Sequence, residues 1–323
     1  MRIVQDDTDN PGRSLKGNGS LTMTPVMNCL ARWLQGRFPG EQWQWLQERQ
    51  LLVSTSSDLR DLHISLGLAP RKLGRSDLAL DADELEAAKQ ASNHSWDPTD
   101  WTVDSAARIW LLCTAAEHDE PGFASLFRDL CRTADLSEAI TFYRGLSLYP
   151  HSAELDSQVG EGLRTNMRAV FESIAHRNAY PREYFDENRW NHMVLKALFI
   201  DSSLAPIQGL DERANIDLAR ILCDYAHERW AAHRTVTPEL WRCVGPFARD
   251  DMLEDLFKVS NSELLVEQEA ALLALSQCPD PGALGALEQH PDIHQRIVSG
   301  ELSWNSMADK LEPLQDKSSG EKT

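Results

Sequence analysis

Apolar residues recur at helical spacing through almost the whole of residues 25–299, in short runs separated by proline and capping residues. That pattern leaves little room for anything but an all-α fold. It predicts helices over 25–35, 41–50, 81–91, 104–118, 121–133, 136–148, 162–178, 188–200, 215–233, 237–245, 249–259, 262–277, 281–289 and 291–299. Asp104, Asn215, Thr237 and Ser262 stand where N-caps belong, and Pro238 follows Thr237 at the first helical position. Pro121, Pro150, Pro181, Pro206, Pro279 and Pro291 fall between the periodic runs. The run Asp61–Leu68 (DLHISLGL) alternates apolar and polar residues and is expected to form a short strand, too little for a sheet.

About fourteen short helices suit an irregular HEAT-like α-solenoid, with a compact irregular helical bundle as the alternative. The clearest candidate repeat is 267–287, EQEAALLALSQCPDPGALGAL. Its first helix carries Ala270, Ala271, Ala274 and Leu275, and its second begins with Ala283, Leu284 and Leu287. Small residues there let neighbouring elements approach closely. One helical domain is expected over 25–309, between polar, disordered tails at 1–24 and 310–323.

A chain of 323 residues is long enough for a sizeable core. Its formal charge of −18 argues against nucleic acid or an anionic membrane as the main partner, since both need clustered Lys and Arg. No run nears the roughly 20 apolar residues of a membrane helix, so direct membrane insertion is not expected. The six cysteines, Cys29, Cys113, Cys131, Cys223, Cys243 and Cys278, are scattered without a CxxC pair. Cys113, Cys223 and Cys278 sit in apolar helical runs as small hydrophobes do. The first twenty residues are polar and Gly-rich and lack the apolar core of a signal peptide, so the expected compartment is the cytoplasm.

Several familiar constellations fail. Gly12–Ser20 has the glycine spacing of a phosphate loop, but Asn18 stands where Lys is required and no strand precedes it. His227 and His233 are six apart, about 240° around a helix at roughly 100° per residue, so one face cannot offer both to zinc. There is no GxSxG or GxGxxG motif, and neither a metal, a cofactor nor a catalytic residue is expected.

Polar residues inside apolar helical arcs are the remaining candidates. Arg108 is flanked by Leu111, Leu112 and Ala115, and Arg144 lies between Ile140 and Leu148. Asn191 projects into the apolar arc of 188–200, with Lys196 and His192 on its narrow polar face. Arg229 falls near the centre of the arc formed by Leu218, Leu222, Tyr225, Ala226 and Trp230. A buried guanidinium needs carboxylate or anion partners. Either internal Asp and Glu supply them, or some of these residues line a groove for an anionic small molecule, with Asn191, Lys196 and Tyr225 orienting it. The segment His176–Asp186, with Asn178, Tyr180, Pro181, Tyr184 and Phe185, either rims a pocket or packs a helix corner. Acidic runs at 77–86 and 250–255 fit solvated helix faces.

The block from Arg164 to Phe247 resembles the EboA family. The likeness is carried by RTNMRAVFESIAHRNAYP (164–181), WNHMVLKALFI (190–200), IQGLDERAN (207–215) and LCDYAHERWAAHRTVTPELWRCVGPF (222–247). The resemblance implies a bacterial gene cluster that also encodes a sugar-phosphate-cyclase-like enzyme, a membrane prenyltransferase-like protein and barrel-type enzymes. Such clusters make a specialised metabolite or move it toward the envelope. The resemblance supplies no catalytic residues.

The expected function is therefore that of a non-catalytic accessory protein, binding either a protein partner from the same cluster or an anionic intermediate. The competing expectation is an enzyme acting on a small anionic metabolite in an arginine-lined pocket, with His192 or Tyr225 as acid or base. A pure scaffold would instead expose an apolar or Trp-bearing patch, for which Trp101, Trp241 and Trp304 are the residues to inspect.

Overall fold

The computed structural model describes residues 23–56 and 58–311, and these are helical in the main, with no strand among them. The expected tails at 1–24 and 310–323 lie outside the described residues, except that 23, 24, 310 and 311 are helical.

Five helices open the chain: α1 (Met23–Arg37), α2 (Glu41–Thr55), α3 (Leu59–Leu73), α4 (Ala82–Ala91) and α5 (Val103–His118). Every residue of α5 from Val103 to Ala116 is buried, because α1, α2 and α3 pack around it and α7 (Leu136–Arg144) closes another side, after α6 (Phe123–Thr133). Then follow α8 (Asp156–Arg164), α9 (Arg168–Ala175), α10 (Tyr180–Tyr184), α11 (Glu187–Phe199) and α12 (Ile216–Ala231). The C-terminal part holds α13 (Trp241–Val244), α14 (Asp251–Ser260), α15 (Leu265–Leu275), α16 (Gly282–Gln289), α17 (Pro291–Val298) and a last helical stretch, 304–311. There α15 plays the part of α5, buried from Glu269 to Leu275 beneath α13, α14, α16 and α17.

The strand expected at Asp61–Leu68 is corrected to part of α3. Leu62, Ser65, Leu66, Ala69 and Leu73 are buried, a helical spacing, whereas Ile64 faces solvent. The alternation in DLHISLGL was only a coincidence with that period. Asp58 caps α3 by accepting from Arg60 N at 2.9 Å, and Gly74 ends it at φ 83°.

The run expected as one helix over 162–178 is broken at Thr165–Met167 into α8 and α9, and it ends at Ala175. Arg177 then takes a left-handed φ of 48°, and Asn178 donates to Tyr143 O at 2.9 Å and Ser173 O at 3.1 Å. Of the four expected N-caps, Asn215 accepts from Leu218 N at 2.8 Å. Thr237 precedes a 3-10 turn without a side-chain cap bond, Asp104 lies inside α5, and Ser262 stands two residues before the cap position of α15.

Candidate functional site

Three separate stretches of chain converge beside the C-terminal end of α7. The loop 97–101 brings Asp97, Asp100 and Trp101. The exposed side of α9 brings Arg168, Ala169 and Glu172, followed by His176 and Arg177, and the loop 203–208 closes the far wall. Two antiparallel bridges stitch these loops, Trp96 to Asn178 and His176 to Ile207, and Arg177 N donates to Pro206 O at 2.9 Å. A hollow of about 190 Å³ at Arg144, floored by Trp101 and Ile140, shares Asp97, Asp100, Glu172, His176 and Arg177 with a wider one of about 680 Å³. The two adjoin along those five residues and together make up the cleft.

Its cations differ in how they are satisfied. Arg168 Nε donates to Glu172 Oε1 at 2.7 Å, and Ser202 Oγ donates to the same oxygen at 2.7 Å. Arg177 Nε stands 3.2 Å from Asp100 Oδ2 and 3.8 Å from Asp97 Oδ2. Arg144 has a single hydrogen bond, from Nη1 to the Asp100 carbonyl at 3.0 Å. Among the described residues no carboxylate oxygen lies within 4.0 Å of it. Burial accordingly pulls its pKa below the usual arginine value, against the pull of Asp100 and Asp104, and nearby Arg177 adds to the fall.

His176 completes the wall. Its Nε2 lies 2.9 Å from Ser203 O and 3.2 Å from Ser202 Oγ. A carbonyl can only accept, so Nε2 carries the proton. Burial lowers the pKa of this imidazole, with Arg177 and Arg168 adding to the fall and Glu172 opposing it.

The residues singled out by sequence are not gathered in one pocket. Arg108 is 1% exposed, and its ligands are internal: Leu66 O at 3.0 Å, Ser137 Oγ at 3.1 Å, Asp104 Oδ2 at 3.5 Å and Glu138 Oε1 at 3.9 Å. Asn191 exchanges amide hydrogen bonds with Asn215, at 3.2 and 2.9 Å, which ties α11 to the start of α12. Lys196 Nζ donates to Leu163 O and, at 2.9 Å, to Thr165 O, capping the end of α8. Burial lowers its pKa. His192 is exposed.

Tyr225 and Arg229 do meet, in a third hollow of about 240 Å³ lined also by Leu198, Val236 and Leu264. There Tyr225 donates to Leu198 O at 3.3 Å, and the half-buried Arg229 donates from Nε to Thr235 O at 3.0 Å. Arg144 alone of the six lies in the main cleft. In the aromatic segment, Asn178, Tyr180 and Phe185 are buried as corner packing, while His176 and its neighbour Arg177 face the cleft. Nothing in the sequence marked Asp97, Asp100, Arg168 or the 203–208 loop as one site, since they meet only through the fold. Trp101, Trp241 and Trp304 are all buried.

The chemistry that Arg144 offers is recognition. A desolvated guanidinium facing a cleft presents a fork of donors suited to carboxylate or phosphate. Burial pushes the thiols of Cys131, Cys223 and Cys243 up to about 12, which leaves them protonated and unreactive. Among the described residues no group of three or more His, Cys, Asp or Glu could hold a metal ion, and no helix is long and apolar enough to cross a membrane.

The family model described as "Metabolite traffic protein EboA" matches residues 26–245. Those residues include the cleft from Asp97 to Gln208 and stop before α14. Comparison with curated proteins and with solved structures returned no match.

Proposed function

The chain belongs to the EboA family, and on that premise we propose that it is a non-catalytic carrier in a bacterial specialised-metabolite pathway. It binds a small anionic intermediate in the cleft beside Arg144 and works in the cytoplasm. The observation behind this reading is Arg144 itself, a half-buried guanidinium with one carbonyl ligand and an open cleft before it. A cation removed from water in this way is stabilised by an anion with matching geometry. Arg168 and Arg177 along the wall are each neutralised by carboxylates, Arg168 by Glu172 and Arg177 by Asp100 and Asp97, which leaves Arg144 as the arginine there with no carboxylate partner among the described residues. The enzyme alternative has less support, because neither His192 nor Tyr225, its expected acid or base, lines this cleft.

Docking of a partner protein from the same cluster is the second reading. It rests on Leu264, exposed at the rim of the Tyr225–Arg229 hollow, and on its exposed neighbour Leu265.

Native mass spectrometry of the protein purified gently from its own host separates these readings. Carriage predicts a retained anionic small molecule that is lost from Arg144→Met, with folding intact by circular dichroism. A small molecule kept equally by Arg144→Met would overturn the placement, a co-purifying protein in its stead would favour docking, and a chemically altered product released on incubation would favour an enzyme.

A further inference from the structure

We infer that the last helical stretch, 304–311, selects the ligand by its far end: Asp309 and Asn305 read a hydrogen-bond-donating group, an ammonium or hydroxyl, while Arg144 holds the anionic end. This rests on the ligand-binding proposal above and adds the chemical class of what is bound.

The placement follows from the helix's two faces. Trp304, Met307 and Leu311 are buried, at a spacing of three and four residues. Two polar contacts pin that side: Trp304 Nε1 donates to Gln277 Oε1 at 3.1 Å, and Lys310 Nζ lies 2.6 Å from Glu269 Oε2. Glu269 is 2% exposed, and its other oxygen takes Arg296 Nη1 at 2.6 Å. With the helix held there, Asn305, Ala308 and Asp309 join α9 and the 203–208 loop in lining the wider hollow.

Donors and acceptors are unevenly divided along the cleft. At the narrow end Arg144 has donors to spare. At the wide end the cations Arg168 and Arg177 are already committed to Glu172, Asp97 and Asp100. Asp309 is exposed to the wider hollow and has no ion pair or hydrogen bond among the described residues. An anion at one end and a donor at the other satisfy both. A ligand with an alkyl group in place of the donor offers Asp309 no charge-assisted hydrogen bond and displaces water that solvates it. This wall lies beyond the family match, which ends at residue 245, so the selectivity belongs to the C-terminal part of this chain.

The test uses two matched pairs of probes on the full chain by isothermal titration: O-phosphoethanolamine against ethyl phosphate, and β-alanine against propionate. In whichever anion series binds, the amine is expected to bind about tenfold tighter than its alkyl partner, the effect of one charge-assisted hydrogen bond at an exposed carboxylate. Asp309→Asn is expected to erase that preference without weakening the plain anion, because it removes a negative charge from an exposed position in the lining. Arg144→Met should weaken both members of a pair together. If the two members bind equally, or if the preference survives Asp309→Asn, the selectivity is wrong although anion binding stands. If neither series binds the wild-type chain, the ligand-binding proposal falls and the selectivity falls with it.

Discussion

Arg108 is buried because a proline elsewhere requires it. Pro70, in the last turn of α3, has no N–H to give the carbonyl four residues back, so Leu66 O would be an orphan in the core. Arg108 Nε occupies that carbonyl at 3.0 Å, and its two other nitrogens reach Asp104, Ser137 and Glu138. One side chain thus joins α3, α5 and α7. Replacing it with Met strands Leu66 O and leaves the buried Asp104 carboxylate without its cation, holding only the Thr102 Oγ1 hydrogen bond at 2.7 Å, so Arg108→Met should cost about 3–5 kcal/mol in urea unfolding. Arg229→Met should cost under about 1 kcal/mol, because its guanidinium is half-buried at a rim and makes one carbonyl bond. The two arginines look alike in sequence, each inside an apolar arc. That Arg108 would need partners, internal or bound, was legible from helical spacing. Which partners it has was not, since Leu66 lies forty-two residues away.

At the scale of elements, close approach decides several features. Gly245 sits where the turn after α13 crosses α15, and a Cβ there would stand 2.5 Å from Ala274 O and 2.8 Å from its Cα. Both are backbone atoms with no freedom to move aside. Gly245→Ala should therefore push the two elements apart and destabilise the fold by about 1–3 kcal/mol, read as a lower urea midpoint with an unchanged slope. The alanines of α15 were legible as a surface built for such contact, and Ala270, Ala271 and Ala274 are fully buried. The break within 162–178 was hidden, because its local pattern is helical on both sides. Lys196, thirty-one residues downstream of Thr165, caps the carbonyls released at that break. The same distance effect hid α3, whose buried face shows only against α5.

Across the whole molecule, Glu269 draws together three C-terminal pieces: α15, α17 through Arg296, and the 304–311 helix through Lys310. Burial raises its pKa, but the hydrogen bonds and charges of Lys310 and Arg296 outweigh that and hold it below the ordinary value. A carboxylate with a depressed folded pKa contributes stability that is complete above its unfolded value of about 4.5 and is lost as pH falls through the lower folded one. Urea midpoints of the wild-type chain should therefore fall more steeply below about pH 4.5 than those of Glu269→Gln. Near pH 7 the variant should be the less stable of the two. If the two curves run parallel through that window, the ion pair is not anchoring the helix.

Helical class, the run of short helices, the small-residue face of α15 and the family were all determined by sequence alone, because periodicity and composition are local properties. The tertiary structure alone decided the cleft. Its lining comes from stretches near 97, 144, 172, 205 and 309, and Arg144 differs from Arg108 and Arg229 only in what surrounds it. Whether a guanidinium meets a carboxylate, a carbonyl or open space depends on contacts between distant segments, and no periodicity along the chain encodes them.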